Sequence, residues 1–218
     1  MTPNDEAHVS IPVGDAQLDG ILQIPSNAPG IVVFAHGSGS SRNSPRNAAV
    51  AEVIRDRGLG TLRFDLLTED EDRVRENRFD IDLLTDRLVA ATEWLREHAG
   101  GATIGYFGAS TGAAAALRAA ARLGPEIGAV VSRGGRVDMA ADALPEVRSP
   151  TLFVVGGDDP QVLEWNREAF ESLTCEKELR VIDGAGHLFE GEGELEAVAD
   201  AAAEWFEEAL GVDRDLDG

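Results

Sequence analysis

The chain has 218 residues, of which 40 are acidic and 19 are basic, so its formal net charge at pH 7 is −21. This length suits a single domain with a full hydrophobic core. So negative a surface argues against nucleic acid and anionic membranes as partners. The one cysteine, Cys175, excludes an internal disulfide and a cysteine-rich metal site.

The ends and the charge of the chain indicate where it works. The first six residues are polar and acidic, and no apolar run is long enough to span a membrane, so we expect a cytoplasmic, soluble protein. Only one of the basic residues is a lysine, Lys177. A GC-rich genome would explain the missing lysine but not the excess of acid. We therefore favour a halophilic protein, whose carboxylates keep it soluble in concentrated salt.

The first third of the chain predicts a hairpin followed by an alternation of strands and helices. Residues 8–13 and 16–24 alternate apolar and polar side chains around a Gly-Asp turn, which indicates two antiparallel strands. Residues 31–35 are uniformly apolar, as in a strand that is covered on both faces. Helical spacing follows over 44–57, and residues 59–66 predict another strand.

A run of charged residues, 68–78, separates this part from the next helix. Its simplest interpretation is a solvated loop, and the alternative is a loop that gates the site. An amphipathic helix is predicted over 80–98, with Leu84, Leu88 and Leu95 on one face.

The remaining elements continue the alternation up to an acidic tail, 212–218, that we expect to be frayed. Further strands are predicted at 102–107, 127–132, 151–155 and 178–182, and further helices at 113–122, 139–144, 161–173 and 194–210. The pattern predicts an α/β fold in one domain, residues 1–211, with a mostly parallel sheet covered by helices on both faces. Loops at the carboxyl ends of the strands should form the site.

The strand at 102–107 leads into Gly108-Ala109-Ser110-Thr111-Gly112, and a helix begins at once. A serine on such a strand–turn–helix junction is the nucleophile elbow of a hydrolase, where the glycines leave room for a sharp turn. The following N–H, that of Thr111, faces the same space, and the helix N-terminus favours a developing negative charge. Ser110 is therefore the candidate nucleophile.

A serine nucleophile needs a base and an acid that orients the base. His187 follows the last predicted strand in a Gly-Ala-Gly-His turn and is the candidate base. His36 follows a central strand but precedes Ser110, and we interpret it as a residue that shapes its loop. Asp158 and Asp159 both follow the strand at 151–155, so either could be the acid in the order Ser, Asp, His.

The chain resembles the α/β-hydrolases, and among them the dienelactone hydrolase-like family. Four segments carry the resemblance: His36-Gly37-Ser38-Gly39, Gly108-Ala109-Ser110-Thr111-Gly112, Gly156-Gly157-Asp158-Asp159-Pro160 and Gly184-Ala185-Gly186-His187-Leu188-Phe189. The resemblance implies an α/β-hydrolase fold with an antiparallel N-terminal hairpin and a triad of Ser110, Asp159 and His187. It also implies an oxyanion hole formed by the N–H groups of Thr111 and Ser38, and no cofactor or metal.

One departure affects the expected reaction. Dienelactone hydrolases proper have a cysteine nucleophile, whereas the corresponding residue here is Ser110. We therefore expect a serine esterase that hydrolyses a carboxylic ester, lactone or thioester through an acyl-enzyme.

The expected substrate is small and soluble, because the segment between Ser132 and Thr151 is too short for a large cap domain. Arginines that belong to loops near the expected site could bind an anionic substrate, and the alternative is that they pair with surface acids. They are Arg42, Arg46, Arg133 and Arg136.

Two other functions remain open at this point. The same triad could transfer the acyl group to an acceptor other than water, as in acyltransferases and perhydrolases. The fold could also serve as a non-catalytic ligand-binding protein. The sequence does not predict an oligomeric state.

Overall fold

A computed structural model of the chain describes residues 6–211 and places eight strands in one sheet. The sheet has the order β1-β2-β4-β3-β5-β6-β7-β8. From β3 onwards all pairs are parallel, whereas β2 is antiparallel to both β1 and β4. The strands are β1 (Ala7–Val13), β2 (Ala16–Gln23), β3 (Gly30–Ala35), β4 (Gly60–Phe64), β5 (Thr103–Ala109), β6 (Ile127–Arg133), β7 (Thr151–Gly156) and β8 (Lys177–Ile182).

Helices cover both faces of this sheet. They are α1 (Pro45–Asp56), α2 (Glu69–Asp72), α3 (Ile81–His98), α4 (Thr111–Leu123), α5 (Pro160–Ser172) and α6 (Glu194–Leu210). The pair α1 and α6 packs with side chains such as Phe34 and Phe107 on one face. The pair α3 and α4 packs with Val33 and Tyr106 on the other face. The predicted α/β fold with an N-terminal antiparallel hairpin is confirmed.

Two central strands show why the apolar runs of the sequence were informative. Every residue of β3 is buried, and β5 is buried after its first residue. Because helices shield both faces of these strands, neither side of the pleat meets water, and both sets of alternating side chains are apolar.

Helix starts also follow local chemistry. The Ser44 side chain accepts a hydrogen bond from the Asn47 N–H at 3.3 Å, with Pro45 as the first residue of α1. The Asp80 carboxylate accepts from the Leu83 N–H at 3.0 Å and begins α3. These caps satisfy N–H groups that the helix itself leaves unpaired.

The structure departs from the sequence-based expectation in two segments. The charged run 68–78 is not a plain loop: it contains α2 and a 3₁₀ turn at Arg75–Phe79, and Thr68 and Glu71 form a capping box. Four acidic residues at the start of α2 are favourable there because the helix N-terminus carries partial positive charge. The helix expected at 139–144 is replaced by two 3₁₀ turns, Val137–Ala140 and Leu144–Glu146. The tail 212–218 lies outside the described residues.

Candidate active site

Ser110 occupies a strained turn between β5 and α4. Its backbone has φ 50° and ψ −119°, a region that non-glycine residues seldom adopt. The turn brings backbones into close contact. A Cβ on Gly112 would lie 2.1 Å from the Ala35 carbonyl oxygen, and a Cβ on Gly108 would lie 2.5 Å from Ala113 Cα. Only glycine fits at these two positions, so the spacing seen in the sequence is a requirement of the turn.

The loop after β6 holds this turn in place. The Ser110 N–H donates to the Arg133 carbonyl at 3.2 Å, and the Ser110 carbonyl accepts from the Arg136 N–H at 3.0 Å. Asn166 of α5 stabilises this loop, because its side-chain Nδ2 donates a hydrogen bond to the Gly135 carbonyl at 2.9 Å. Asn166 is fully buried, and sequence reasoning missed it. The sequence did contain a signal for Asn166, since it is a polar residue on the apolar face of the helix predicted at 161–173.

Asp159 and His187 are brought together from two different loops. His187 Nδ1 lies 2.7 Å from Asp159 Oδ2. The Asp159 side chain is largely buried, with 17% of its surface exposed, whereas that of His187 is 39% exposed. Asp158 is exposed, and its backbone N–H donates to the Ala185 carbonyl at 2.9 Å. The acid that contacts the histidine is therefore Asp159.

The His187 ring lies beside the loop that holds Ser110. A Cβ built on Gly134 would be 3.5 Å from both Nδ1 and Cε1 of the ring. Among residues 6–211 the Ser110 hydroxyl forms no hydrogen bond with His187. Such contacts are often long in a substrate-free hydrolase and tighten when substrate binds.

The two N–H groups expected in the oxyanion hole lie in adjoining segments. Thr111 is the first residue of α4, where the helix provides no acceptor for its N–H. The Ser38 N–H donates to the Thr111 hydroxyl oxygen at 3.0 Å. The Thr111 side chain thus fixes the position of the Ser38 loop. The Ser38 N–H would have to turn from that hydroxyl to reach an oxyanion.

His36 shapes the same loop from inside the protein. Its Nε2 accepts from the Leu66 N–H at 3.0 Å, and its Nδ1 lies 3.0 Å from the Gly37 carbonyl oxygen. This arrangement requires the neutral ring with its proton on Nδ1. Burial lowers the pKa of His36 and outweighs the Gly37 carbonyl, Asp65 and Asp72, which act in the opposite direction.

Three of the four candidate arginines are paired with acids. Arg136 donates two bonds of 2.9 Å to Asp138 and lies over the Trp165 ring. Arg42 contacts Asp65 and Asp19, and Arg46 lies 3.7 Å from Glu190.

Arg133 differs from the other three. It is 9% exposed, and neither its Nε nor its Nη1 has a hydrogen-bond partner among the described residues.

The charged segment 68–78 lies next to the loop that carries Ser38. Asp72 and Arg78 line a small pocket together with residues of that loop, namely His36, Gly37, Ser38 and Gly39, and with Thr111. Arg78 is itself held by Asp72 through a bond of 2.7 Å. The segment therefore contributes to the wall of the site region as an ordered element.

The described residues contain neither a candidate metal site nor a membrane-spanning helix. Within 6–211 there is no cluster of three or more His, Cys, Asp or Glu side chains arranged to hold a metal ion. None of the helices described is both long enough and apolar enough to cross a bilayer.

Comparison with known proteins places this geometry in a family context. A sequence model of the dienelactone hydrolase family matches residues 18–212. The chain is also similar to a dienelactone hydrolase from Anabaena variabilis, known from a crystal structure. The two share 52% identity with a TM-score of 0.93, covering 95% of this chain and 99% of the other.

A more distant likeness concerns the fold alone. An α/β serine hydrolase without a lid from Xanthomonas campestris is 23% identical, with a TM-score of 0.78, over 97% of this chain and 98% of the other.

Two curated relatives from Mycobacterium tuberculosis are provisionally named phosphoribosyl transferases. Each is 51% identical over 206 residues, which is 94% of this chain but 46% of the relative. The chain spans about half the length of these curated relatives.

Proposed function

The chain belongs to the dienelactone hydrolase family, and from this membership we propose that it is a serine hydrolase that cleaves a carboxylic ester through an acyl-enzyme. The observation that carries the proposal is the contact between Asp159 and His187 beside the loop that holds Ser110. In a non-catalytic binding protein, nothing would require a strained serine and a carboxylate–imidazole pair at one edge of the sheet.

In this mechanism the Ser110 hydroxyl attacks the ester carbonyl while His187 takes its proton. The histidine then gives that proton to the leaving alcohol, and water hydrolyses the acyl-enzyme by the same steps in reverse order. Asp159 accepts from His187 Nδ1, keeps Nε2 as the basic nitrogen and stabilises the imidazolium. Its partial burial strengthens this interaction, because fewer water molecules screen the carboxylate.

The negative charge of the tetrahedral intermediate is stabilised at the start of α4. The Thr111 N–H points from the first position of a 13-residue helix, whose dipole adds to the field. The Ser38 N–H is the second donor once it leaves the Thr111 hydroxyl. Each such donor contributes about 3 kcal/mol to the transition state.

The substrate is proposed to be small and soluble. Between β6 and β7 the chain forms only two 3₁₀ turns, so this connection supplies no cap domain over the site. A net charge of −21 disfavours nucleic acid and anionic membrane surfaces as partners. We also propose the cytoplasm as its location.

The name of the two curated relatives does not point to phosphoribosyl transfer by this chain. More than half of each relative lies beyond the matched region. The matched region contains Ser110, Asp159 and His187, a set suited to attack on a carbonyl carbon. Transfer to an acceptor other than water uses the same acyl-enzyme, so it is a variant of the proposed reaction that product analysis distinguishes.

A fluorophosphonate probe followed by mass spectrometry tests the nucleophile before a substrate is known. We expect a single labelled peptide that contains Ser110, and no label in Ser110→Ala. A matched control is Ser172→Ala, at the exposed end of α5, which should label like the wild type. Label on another serine, or none on the folded wild type, would contradict the assignment.

Product analysis with 4-nitrophenyl acetate as substrate tests acyl transfer. If transfer to an acceptor other than water is efficient, added hydroxylamine should compete with water for the acyl-enzyme.

A further inference from the structure

Arg133 combines burial with the absence of a partner, which is costly for a cation. Its side chain is 9% exposed, and its Nε and Nη1 are buried without a hydrogen bond from any described residue. A buried charge is normally paired, because removing an ion from water costs several kcal/mol. Each of the other three candidate arginines is paired with an acid. The pairs are Arg136 with Asp138, Arg42 with Asp65, and Arg46 with Glu190.

The surroundings of Arg133 add positive charge and do not compensate it. The alternation along β6 places residue 133 on the face of Ala129 and Val131, which α1 and α6 cover. Burial, together with the neighbouring Arg46, lowers the pKa of Arg133 to about 10. The guanidinium is therefore still charged at neutral pH. The charged neighbour that acts on Arg133 is another cation, and none of the described carboxylates pairs with its guanidinium.

Arg133 is also tied directly to the catalytic residues. Its carbonyl accepts from the Ser110 N–H, and it pairs with Ala109 across the sheet. The next residue, Gly134, lies against the His187 ring. Arg46 reaches the same region from the start of α1 and lies 3.7 Å from Glu190, in the loop that carries His187. The backbone of Arg133 thus lies beside Ser110, and its side chain is near Arg46, which contacts the loop that carries His187.

We propose that Arg133, assisted by Arg46, binds an anionic group of the substrate, a carboxylate or a phosphate next to the ester that Ser110 attacks. The proposal rests on the proposed hydrolase function and deepens it. A planar guanidinium with unused donors suits two oxygens of one anionic group. The substrate supplies the partner that the described residues do not provide, so the buried charge stays uncompensated until substrate binds.

Matched ester pairs test this, with Arg133→Met as the main variant. Monomethyl fumarate is compared with methyl crotonate, in which a methyl group replaces the carboxylate. In the second pair, 2-acetoxyethyl phosphate is compared with 2-methoxyethyl acetate. The variant should lose about 10- to 100-fold in kcat/KM, chiefly through KM, on the anionic member of at least one pair. The neutral members should change less than about threefold. The pair that responds identifies the anion.

Two further variants separate this role from a structural one. Arg122→Met removes the same charge from an exposed pair with Asp86 and should leave all four substrates unaffected. Arg133→Lys keeps the positive charge but loses the planar pair of N–H donors. The enzyme should then retain part of its preference for the anionic esters. Because Arg133→Met replaces an unpaired buried charge with an apolar side chain, its Tm should be equal to or above that of the wild type. Equal losses on anionic and neutral esters, or a lower Tm with such losses, would overturn the proposal.

A binding measurement that requires no catalysis separates failure of the anion site from failure of the hydrolase assignment. At constant ionic strength, inorganic phosphate or fumarate should raise the Tm of the wild type and of Ser110→Ala, but not that of Arg133→Met. The same shift in all three proteins, or none in any, rejects the anion site. A shift that depends on Arg133 in a protein that cleaves no ester supports the site and rejects the hydrolase.

Discussion

His187 Nδ1 lies 2.7 Å from Asp159 Oδ2, although the two residues are 28 positions apart and belong to loops after different strands. The adjacent Asp158 is exposed. This contact resolves a choice between neighbouring aspartates that local residue patterns left open, and it orients the imidazole through one nitrogen. The other ring nitrogen is left for the proton of Ser110 in the proposed reaction.

The two aspartates should differ sharply when each is changed to asparagine. In Asp159→Asn, the amide favours the wrong histidine tautomer, so kcat for an activated ester such as 4-nitrophenyl acetate should fall by about 10⁴-fold. Asp158→Asn is the matched control and should retain activity within about threefold. Comparable losses in both variants would contradict the assignment of Asp159 as the orienting acid.

Gly112 should tolerate no side chain. In Gly112→Ala the new Cβ would lie 2.1 Å from the Ala35 carbonyl oxygen and 2.5 Å from that of His36, and both are backbone atoms. We expect the free energy of unfolding to fall by about 3 kcal/mol, measured by urea denaturation. Gly186→Ala is the control, since no atom lies within 4 Å of its Cβ, and it should cost little. A stable Gly112→Ala protein would show that the elbow adjusts more readily than its contacts indicate.

His36 should make stability depend on pH in a defined direction. Burial lowers its pKa in the folded protein, so below about pH 6.5 the unfolded chain takes up a proton that the folded chain resists. Its contribution is therefore complete above about pH 6.5 and is lost as the pH falls towards the folded pKa, by about 1.4 kcal/mol per unit. His36→Gln should lack this slope, so the difference in free energy of unfolding between wild type and variant should be constant above about pH 6.5 and change below it, measured by urea unfolding at pH 5 to 8. A difference that is constant over this range would contradict the prediction.

Salt should stabilise the protein strongly. Several arginines are already shared between acids, as Arg118 is by Asp82 and Asp142 and Arg180 is by Glu178 and Glu204. With 40 acidic and 19 basic residues, many carboxylates must still repel one another. The screening length falls from about 30 Å at 0.01 M salt to about 3 Å at 1 M. The Tm should therefore rise steeply with KCl, and in a halophilic protein it should continue to rise above 1 M. A Tm that is flat between 0.1 and 2 M would reject the halophilic interpretation.

The elements that sequence patterns predicted well are those whose signal is local. The residues of α6 agree with the prediction at both ends, and the strands β3 and β5 coincide with apolar runs. The charged segment 68–78 was harder to interpret. Its helical turns depend on a capping box at Thr68 and on the contact between Glu71 and Arg87, which lies 16 residues away.

The arginines near the site show the same difference between local signals and contacts with distant residues. The sequence places Arg42, Arg46, Arg133 and Arg136 in or next to loops at one edge of the sheet, and it does not distinguish a paired arginine from an unpaired one. The structure does, because pairing depends on which acid the fold brings near. Arg136 has its acid two residues away, in Asp138, whereas the acid of Arg42 is 23 residues away, in Asp65.

The sequence by itself determined the α/β fold and the position of Ser110 at an elbow. Apolar runs reflect burial directly, and the two glycines flank Ser110 at the spacing of a strand–turn–helix elbow. Only the tertiary structure decided that Asp159 contacts His187, that Thr111 holds the Ser38 N–H from 73 residues away, and that Arg133 is buried with no partner within residues 6–211. These are relations between distant residues. They depend on how strands of one sheet align their carboxyl ends, which no local pattern records.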